Sequence, residues 1–398
     1  MNLRSDVKNE QARQAAIPTL NQLYFYLTEG CNLACRHCWL APKLDATGKR
    51  YPSLSVDLFE TAIREAKPLG LSGVKLTGGE PLLHPHFLRL LEIVRREDLG
   101  LTIETNGLLC TPEIAAEIAK SPKRFVSVSI DGADAQTHEW VRGVPGSFNA
   151  AREAVDNLVA AGIRPQLIFT VMRHNAGQVD AMVHMAEELG AASLKFNVVQ
   201  PTARGERMHE VQKTLNVAEL IELGRHVERE LAPKTKLRVF FDYPQAFRAL
   251  SRIASGDGCG VCGIRGILGV IASGHYALCG IGEQVPDLVF GSVGKDRLEE
   301  VWRDNPILKA LREGLPERLE GVCSRCLMRE RCLGSCVAQN YYSTGSLWAP
   351  FWLCKQAEEI GLFPASRLGK IPAQSSSPLS RYGDKSSLGE FAPERIGT

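Results

Sequence analysis

Hydrophobic and polar positions in residues 20–241 follow two alternating patterns. Short apolar runs, rich in β-branched and aromatic residues, lie at 22–27, 73–76, 101–104, 125–130, 166–171 and 193–198, and this pattern predicts strands. Between them, apolar residues recur every three or four positions, as at Leu58, Ala62 and Ala66. This second pattern predicts amphipathic helices.

Strands that alternate with helices indicate an α/β fold, a parallel sheet with right-handed crossovers. Six strands are two fewer than a closed eightfold barrel needs, so we predict an open, partial (β/α)6 barrel. In barrels of this kind the chemistry lies on the loops at the carboxyl ends of the strands.

The pattern changes after the apolar run at 237–241. Residues 255–365 carry eight of the twelve cysteines, many glycines and one clear helix, near 298–311. A module with so few apolar residues for a core is expected to need metal clusters that link its segments and stabilise it. We therefore predict an N-terminal segment at 1–19, the barrel at 20–241, a small cysteine-rich module at 242–365, and a disordered polar tail at 366–398.

Charge and composition exclude several classes of protein. The 398 residues carry 47 basic and 45 acidic side chains, a net charge of +2, which argues against nucleic-acid binding through phosphates. The N-terminus lacks an apolar signal-peptide region, and no uncharged apolar run is long enough to span a membrane. We expect a cytoplasmic protein without a membrane partner, in which twelve cysteines are metal ligands or catalysts more often than disulfides.

Three of the cysteines, Cys31, Cys35 and Cys38, follow the first predicted strand directly. Three thiolates can hold three irons of a [4Fe–4S] cluster and leave the fourth iron open to an exogenous ligand. A zinc ion held by three cysteines and a histidine such as His37 is the alternative.

The stretch CNLACRHCW, residues 31–39, resembles the CxxxCxxC signature of radical S-adenosylmethionine (SAM) enzymes, with Trp39 as its aromatic residue. The second strand ends in Thr77-Gly78-Gly79-Glu80-Pro81, which resembles the GGEP turn of that family. The resemblance implies that Gly78 and Gly79 let the backbone approach the methionine part of SAM and that Glu80 accepts its ammonium group.

Later strand ends carry further parts of the resemblance. They imply SAM contacts for Asn106 in ETNG, for Ser129 in SIDG, for Arg142 and for Asn197. Arg142 suits the SAM carboxylate, because a guanidinium pairs well with a carboxylate. Asn106 could equally be a left-handed turn residue, and Asp131 is interpreted as a turn or capping residue. Further candidates for the cavity lining are His138, His275, Tyr276 and Arg204, each of which is equally well interpreted as a structural or surface residue.

The cysteines of the module match the SPASM pattern at every spacing, from Cys262-x11-Gly274-x4-Cys279 to Cys354. A two-zinc ribbon is the alternative. The resemblance implies two auxiliary [4Fe–4S] clusters. Their ligands would be Cys259, Cys262, Cys279 and Cys336 for the first, and Cys323, Cys326, Cys332 and Cys354 for the second. Cys110 is left over and is interpreted as a buried thiol.

The family resemblance implies an enzyme with three [4Fe–4S] clusters that reductively cleaves SAM to a 5′-deoxyadenosyl radical. That radical would abstract hydrogen from a peptide, most often in the maturation of a ribosomally made peptide by a crosslink or other side-chain change. A flavodoxin- or ferredoxin-type reductant is expected. Leader recognition, if the reaction needs it, is expected from a separate protein or from the barrel surface, because few residues precede the first strand.

Three alternatives stay open at this point. One is sulfatase maturation, in which Glu283 would replace an aspartate that follows Cys279 in such enzymes. Another is modification of a small molecule of the haem-precursor type. The third, from a different class, is a non-catalytic iron–sulfur electron carrier.

Overall fold

One ten-stranded sheet organises the computed structural model, which describes residues 18–44, 51–254 and 262–369. Its strand order is β12-β11-β10-β1-β4-β5-β6-β7-β8-β9. All neighbours from β10 to β9 are parallel, whereas β11 and β12 are antiparallel. The strands are β1 Gln22–Tyr26, β2 Gly30–Cys31, β3 Lys43–Leu44, β4 Gly73–Thr77, β5 Gly100–Thr105, β6 Arg124–Ser129, β7 Gln166–Val171, β8 Ser193–Val198, β9 Arg238–Phe241, β10 Ile267–Val270, β11 His275–Ala277 and β12 Val289–Ser292.

Helices connect the parallel strands and cover the sheet. Several begin at a side chain that accepts a free backbone N–H: Ser55 Oγ accepts from Leu58 at 3.2 Å, and Asn216 with Glu219 forms a capping box. The helices are α1 Val56–Ala66, α2 Phe87–Arg96, α3 Pro112–Ala119, α4 Ala135–Arg142, α5 Ser147–Ala160, α6 Val179–Glu188, α7 Arg204–Glu210, α8 Val217–His226, α9 Leu250–Ala254, α10 Leu298–Asp304, α11 Pro306–Gly314, α12 Gly321–Arg325, α13 Arg329–Cys332, α14 Val337–Thr344 and α15 Trp352–Glu359.

The six predicted barrel strands are all present and lie side by side in chain order as β1 and β4 to β8. The predicted α/β fold is confirmed, and β9 adds a seventh parallel strand at 238–241. On the other side of β1, strand β10 pairs in parallel, with Gln22 opposite Ile267. The sheet therefore continues across the predicted boundary at 241.

The cysteine-rich module is more helical and better packed than its sequence indicates. The helix expected near 298–311 is two helices that meet at Asn305, because Pro306 begins the second, and α12 to α15 follow. Trp302, Leu353 and Phe363 belong to the same buried cluster as Phe25 of the barrel. The expectation of a poor core is wrong: the module shares the core of the barrel.

Two further predictions concern the ends of the chain and membranes. Residues 1–17 of the predicted N-terminal segment and residues 370–398 of the predicted tail lie outside the described residues. The first four residues of the tail, 366–369, are ordered, contrary to the prediction: Leu327 N–H donates to Arg367 O at 2.8 Å. Among the helices that the structure describes, none combines the length and apolar character that a membrane crossing requires.

Candidate active site

The loops at the carboxyl ends of β1 and β4 to β8 surround a cavity of about 700 Å³, within the range of small-molecule sites. The cavity brings together nearly all residues that the sequence singled out. Its lining includes Cys31, Cys35, Cys38, Trp39, Gly78, Gly79, Glu80, Asn106, Ser129, Arg142 and Asn197 from the barrel, and Cys262, Cys279, Cys332 and Cys336 from the module.

The three-cysteine loop, residues 31–42, lies at the mouth of the barrel. Cys31 and Cys35 are buried and Cys38 is half-buried, and burial raises the pKa of the Cys31 thiol. Two backbone bonds tie the loop to the end of α4: Ala34 N–H donates to Arg142 O at 3.0 Å, and Arg36 N–H donates to Val141 O at 2.9 Å.

The glycines of the GGEP turn are required by close packing on the chain that leads into this loop. Gly79 N–H donates to Thr28 O at 3.0 Å, and Glu80 N–H donates to Gly30 O at 2.9 Å. A Cβ on Gly79 would lie 1.8 Å from Gly30 O, and Gly78 has φ +125°. The turn is thus locked against the three-cysteine loop. Contact of these glycines with SAM stays a prediction.

Glu80 is a buried carboxylate with three hydrogen-bond donors. Thr105 Oγ1 donates to Oε1 at 2.6 Å and Leu82 N–H at 3.1 Å, while Asn106 N–H donates to Oε2 at 2.8 Å. Burial raises its pKa to about 7 in spite of these bonds. A carboxylate has about four acceptor positions, so one remains for an ammonium group.

Arg142 makes a buried ion pair that the sequence did not indicate. Its Nη2 lies 2.8 Å from Asp131 Oδ2, and its Nη1 lies 3.5 Å from Cys35 Sγ. Asp131 Oδ1 accepts from Thr170 N–H at 2.7 Å. The interpretation of Asp131 as a turn residue misses this role, because it holds the guanidinium against a cysteine. A SAM contact of Arg142 stays a prediction.

The remaining predicted SAM contacts differ in whether their hydrogen-bonding groups already have partners within the protein. Asn106 Nδ2 donates to Asn32 Oδ1 at 2.7 Å, and Leu108 N–H donates to Asn106 Oδ1 at 3.0 Å. Asn106 does not have positive φ; Gly107 does, at +87°. Asn197 Oδ1 is buried and has no hydrogen-bond partner in the described chain, which fits a ligand group in the cavity. Trp39 packs edge-on against Tyr26, with ring centroids 6.4 Å apart.

The module cysteines line two cavities. Cys262, Cys279, Cys332 and Cys336 line the same cavity as the three-cysteine loop. Cys323, Cys326, Cys332 and Cys354 line a second, very small cavity. Cys332 borders both, and the assignment of the ligands to two clusters stays a prediction. A hydrogen bond between Cys323 and Cys354 lowers the pKa of the first thiol and raises that of the second. Cys259 lies outside the described residues, so its assignment stays a prediction.

The cysteine thiolates are donors of the type that iron–sulfur clusters use, and the choice between iron and zinc at these groups stays a prediction. Within 18–44, 51–254 and 262–369, no three His, Cys, Asp or Glu side chains converge on one metal ion. His37 Nε2 lies 3.7 Å from Asp131 Oδ2 and faces that carboxylate.

Some candidates from the sequence lie elsewhere. His138, His275, Tyr276 and Arg204 are not among the residues that line the cavity, which favours their alternative interpretation as structural or surface residues. Cys110 is buried in the main core, and burial raises the pKa of its thiol to about 12. The interpretation of Cys110 as a buried thiol therefore fits the structure.

Sequence reasoning missed two ion pairs inside the barrel. Lys75 Nζ lies 2.6 Å from Glu104 Oε1, and Lys195 Nζ lies 3.1 Å from Asp242 Oδ2; all four line the cavity. Burial raises the pKa of Glu104, but Lys75 outweighs that effect and holds it below its usual value. The sequence does contain a signal for Lys75. It stands two positions before Thr77 of the GGEP turn, and alternate residues of a strand lie on the same face.

Comparison with known proteins assigns the class. Residues 25–186 match the model of the radical SAM superfamily. The chain is 30% identical to mycofactocin maturase MftC of Mycobacterium ulcerans, over 84% of this chain and 87% of that protein. It is 28% identical to the AdoMet-dependent heme synthase of Methanosarcina barkeri, over 80% and 91%. Streptococcus suis SuiB bound to precursor peptide SuiA has a similar fold, with TM-score 0.69, 17% identity and coverage of 89% and 82%.

The chain belongs to the radical SAM superfamily. It is an enzyme of that class whose carboxyl-terminal region is of the SPASM type, and the family implies a [4Fe–4S] cluster and SAM. The carrier alternative is therefore not supported.

Proposed function

We propose that this enzyme modifies a peptide side chain, in the maturation of a ribosomally made peptide. The observation that carries the proposal is the single cavity of about 700 Å³ between the three-cysteine loop and Cys262, Cys279 and Cys336. When bound, the cluster and SAM supply a 5′-deoxyadenosyl radical that takes hydrogen from the substrate. The substrate would enter this cavity beside the SAM-binding loop, with the rest of the peptide outside.

The barrel interior suits the polar groups of such a segment. Barrel interiors are commonly filled by branched apolar side chains, but here Lys75, Glu104, Lys195 and Asp242 line the cavity. Ammonium groups can donate to peptide carbonyls, and carboxylates can accept from amide N–H groups. The inner strand positions therefore bind and orient the substrate below the loops that hold SAM.

Three four-iron clusters complete the proposal, with one at Cys31, Cys35 and Cys38 and two in the module. The module cysteines would hold the two auxiliary clusters, which would supply a path for the electron that an oxidative step releases. A flavodoxin- or ferredoxin-type protein supplies reducing electrons, and a separate protein presents the leader of the substrate. The eleven described cysteines are free thiols, which fits a reducing cytoplasm.

A small haem-type molecule is the second candidate, because one relative is named a heme synthase. Sulfatase maturation is less favoured. Glu283, the residue that would replace the aspartate base, is absent from the cavity lining, and the backbone N–H of Ala272 bonds its carboxylate.

Deuterium transfer tests the substrate class. The anaerobically reconstituted enzyme would be incubated with SAM, dithionite and uniformly deuterated peptides encoded by short reading frames beside its gene. A parallel reaction would contain a deuterated haem precursor. We expect deuterium in 5′-deoxyadenosine only with a peptide. Transfer only from the haem precursor would overturn the proposal in favour of the second candidate.

A further inference from the structure

Arg204 holds the three-cysteine loop from outside the cavity. Its Nη1 donates to Cys35 O at 3.2 Å and its Nη2 donates to Pro42 O at 2.8 Å, while its backbone N–H donates to Cys38 O at 3.2 Å. One residue therefore bonds the carbonyl groups of two predicted cluster ligands and of the residue at the end of the loop. Its side chain is absent from the cavity lining, so it does not meet substrate there.

The backbone around Arg204 is shaped for this contact. Ala203 has φ 49° and ψ −122°, a conformation that residues with a side chain rarely adopt. A Cβ on Gly205 would lie 2.1 Å from Gln200 O and 3.3 Å from His37 O. Such strain persists only where the surrounding structure imposes it, and it clusters at functional sites. In this segment the strained backbone places the Arg204 side chain beside the three-cysteine loop.

The module holds the same segment from the other side. Tyr342 on α14 accepts from Ala203 N–H at 3.3 Å and donates to Glu206 Oε2 at 2.9 Å. The residue before α14 is Cys336, a predicted ligand of the first auxiliary cluster. A chain of direct contacts thus runs from the module helix through Ala203 and Arg204 to the loop that carries Cys35 and Cys38.

We propose that Arg204 and Tyr342 are positioning residues for the SAM-binding cluster, through which the module holds the three-cysteine loop in the shape that retains iron. Lysine cannot replace Arg204 fully, because a guanidinium fork reaches two carbonyls at once and an ammonium group is a single point of charge. The inference rests on the cluster that the family implies, and it does not depend on the nature of the substrate.

The test compares full-length variants, reconstituted anaerobically, by iron content and by the electron paramagnetic resonance (EPR) spectrum of the dithionite-reduced protein with and without SAM. Arg204→Ala should contain about four irons fewer per chain than the wild type and lose the SAM-induced spectral change. Arg204→Lys should lie between the two. Arg207→Ala is the matched control, because Arg207 is an exposed arginine on the same helix.

Tyr342→Phe tests the contribution of the module. It should keep the wild-type iron content but weaken SAM binding, followed through the same spectral change, by roughly two- to tenfold, the effect of one lost hydrogen bond. Tyr341→Phe is its control, since the neighbouring hydroxyl donates instead to Asp287 at 3.0 Å, and it should behave as the wild type.

Wild-type iron and a wild-type SAM response in Arg204→Ala would overturn the proposal. Equal effects of the two tyrosine variants would remove the role of Tyr342. If Arg204→Ala fails to fold, as judged by circular dichroism, then Arg204→Lys and Tyr342→Phe decide, and wild-type behaviour of both refutes the proposal. No peptide is present in these measurements, so failure of the proposed function leaves their outcome unchanged.

Discussion

The three-cysteine loop and the cysteine group around Cys323 are held in opposite ways. The loop borders a cavity of about 700 Å³ and is fixed by hydrogen bonds from distant residues, among them Arg142 and Arg204. The group around Cys323 encloses about 10 Å³, close to the smallest volume that holds one water. Leu319, Met328 and Phe363 form its walls.

The difference fits the proposal that one site admits ligands and the other only stores or passes electrons. The space at an open site must stay free for ligands, so packed side chains cannot fix its geometry. Polar contacts with the three-cysteine loop fix it instead. A closed site is fixed by packing, which also keeps water from the cluster. Variants should therefore fail in different ways at the two sites.

The largest effect is expected when Cys31, Cys35 and Cys38 are all changed to Ala. The variant should lose about four irons per chain and all formation of 5′-deoxyadenosine from SAM, measured by chromatography after dithionite reduction. The reciprocal variant Cys354→Ala should also lose iron but keep the SAM-induced change in the EPR spectrum. Loss of that change in both variants would contradict the separation of the two sites.

At the closed site, Leu319→Ala should act through packing. Leu319 is buried against the second cavity, and buried Leu→Ala changes cost about 2–5 kcal/mol of the free energy of unfolding. Urea unfolding of the anaerobic protein measures this loss. Leu250→Ala is the control, because Leu250 is 59% exposed, and it should leave stability unchanged. Equal stability of the two variants would show that packing does not hold this site.

At the open site, Gly79→Ala should displace the GGEP turn, because its Cβ would lie 1.8 Å from Gly30 O. A displacement near 1 Å can cost about a hundredfold, and we expect SAM binding to weaken to that extent in equilibrium titrations. Gly177→Ala is the control, since a Cβ there meets no atom within 4 Å. Wild-type affinity in Gly79→Ala would mean that the turn is not part of the SAM site.

The smallest predicted effect is a pH dependence of SAM binding. Burial raises the pKa of Glu80 to about 7, so its carboxyl is largely neutral at pH 6 and largely ionised at pH 8. Only the ionised form pairs with an ammonium group, so the Kd for SAM should rise about tenfold from pH 8 to pH 6, following the ionised fraction. Glu80→Gln should bind weakly at both pH values, without this slope; a slope that persists in Glu80→Gln would assign it to another group.

The same raised pKa has an opposite consequence for the protein without SAM. A carboxyl whose pKa is higher in the folded than in the unfolded state stabilises the fold at low pH. This contribution is lost as the pH rises from about 4.5 to about 7. If the ammonium group of SAM pairs with Glu80 as predicted, it offsets the stability that ionisation of Glu80 removes.

Local patterns were enough to predict the barrel. The strands at 166–171 and 193–198 agree with the structure at both ends, because alternation and β-branched residues report directly on a buried parallel sheet. The cysteines and the GGEP turn fall at strand ends, so their convergence follows once the sheet is parallel. Apart from Cys259, which lies outside the described residues, the predicted SAM contacts and cluster ligands line the two cavities, but their roles stay predictions.

Residues that act through distant partners could not be predicted in this way. Arg204 is 169 positions from Cys35, and Tyr342 is 136 positions from Glu206, so no local spacing connects them. The sequence predicted too few helices in the module. These helices are short, and packing on the shared core stabilises them more than their own sequence does, so they leave little periodic pattern. Asp131 was misjudged because its partner Arg142 comes from another element.

The parallel pairing of β1 with β10 has a consequence for synthesis on the ribosome. Gln22 pairs with Ile267, which is translated 245 positions later. At about 5–20 residues per second, β1 waits roughly 12–50 s with one edge open, and an open edge is a template for pairing with other chains. The nascent barrel therefore exposes this edge of β1 to wrong pairing until β10 emerges with the module.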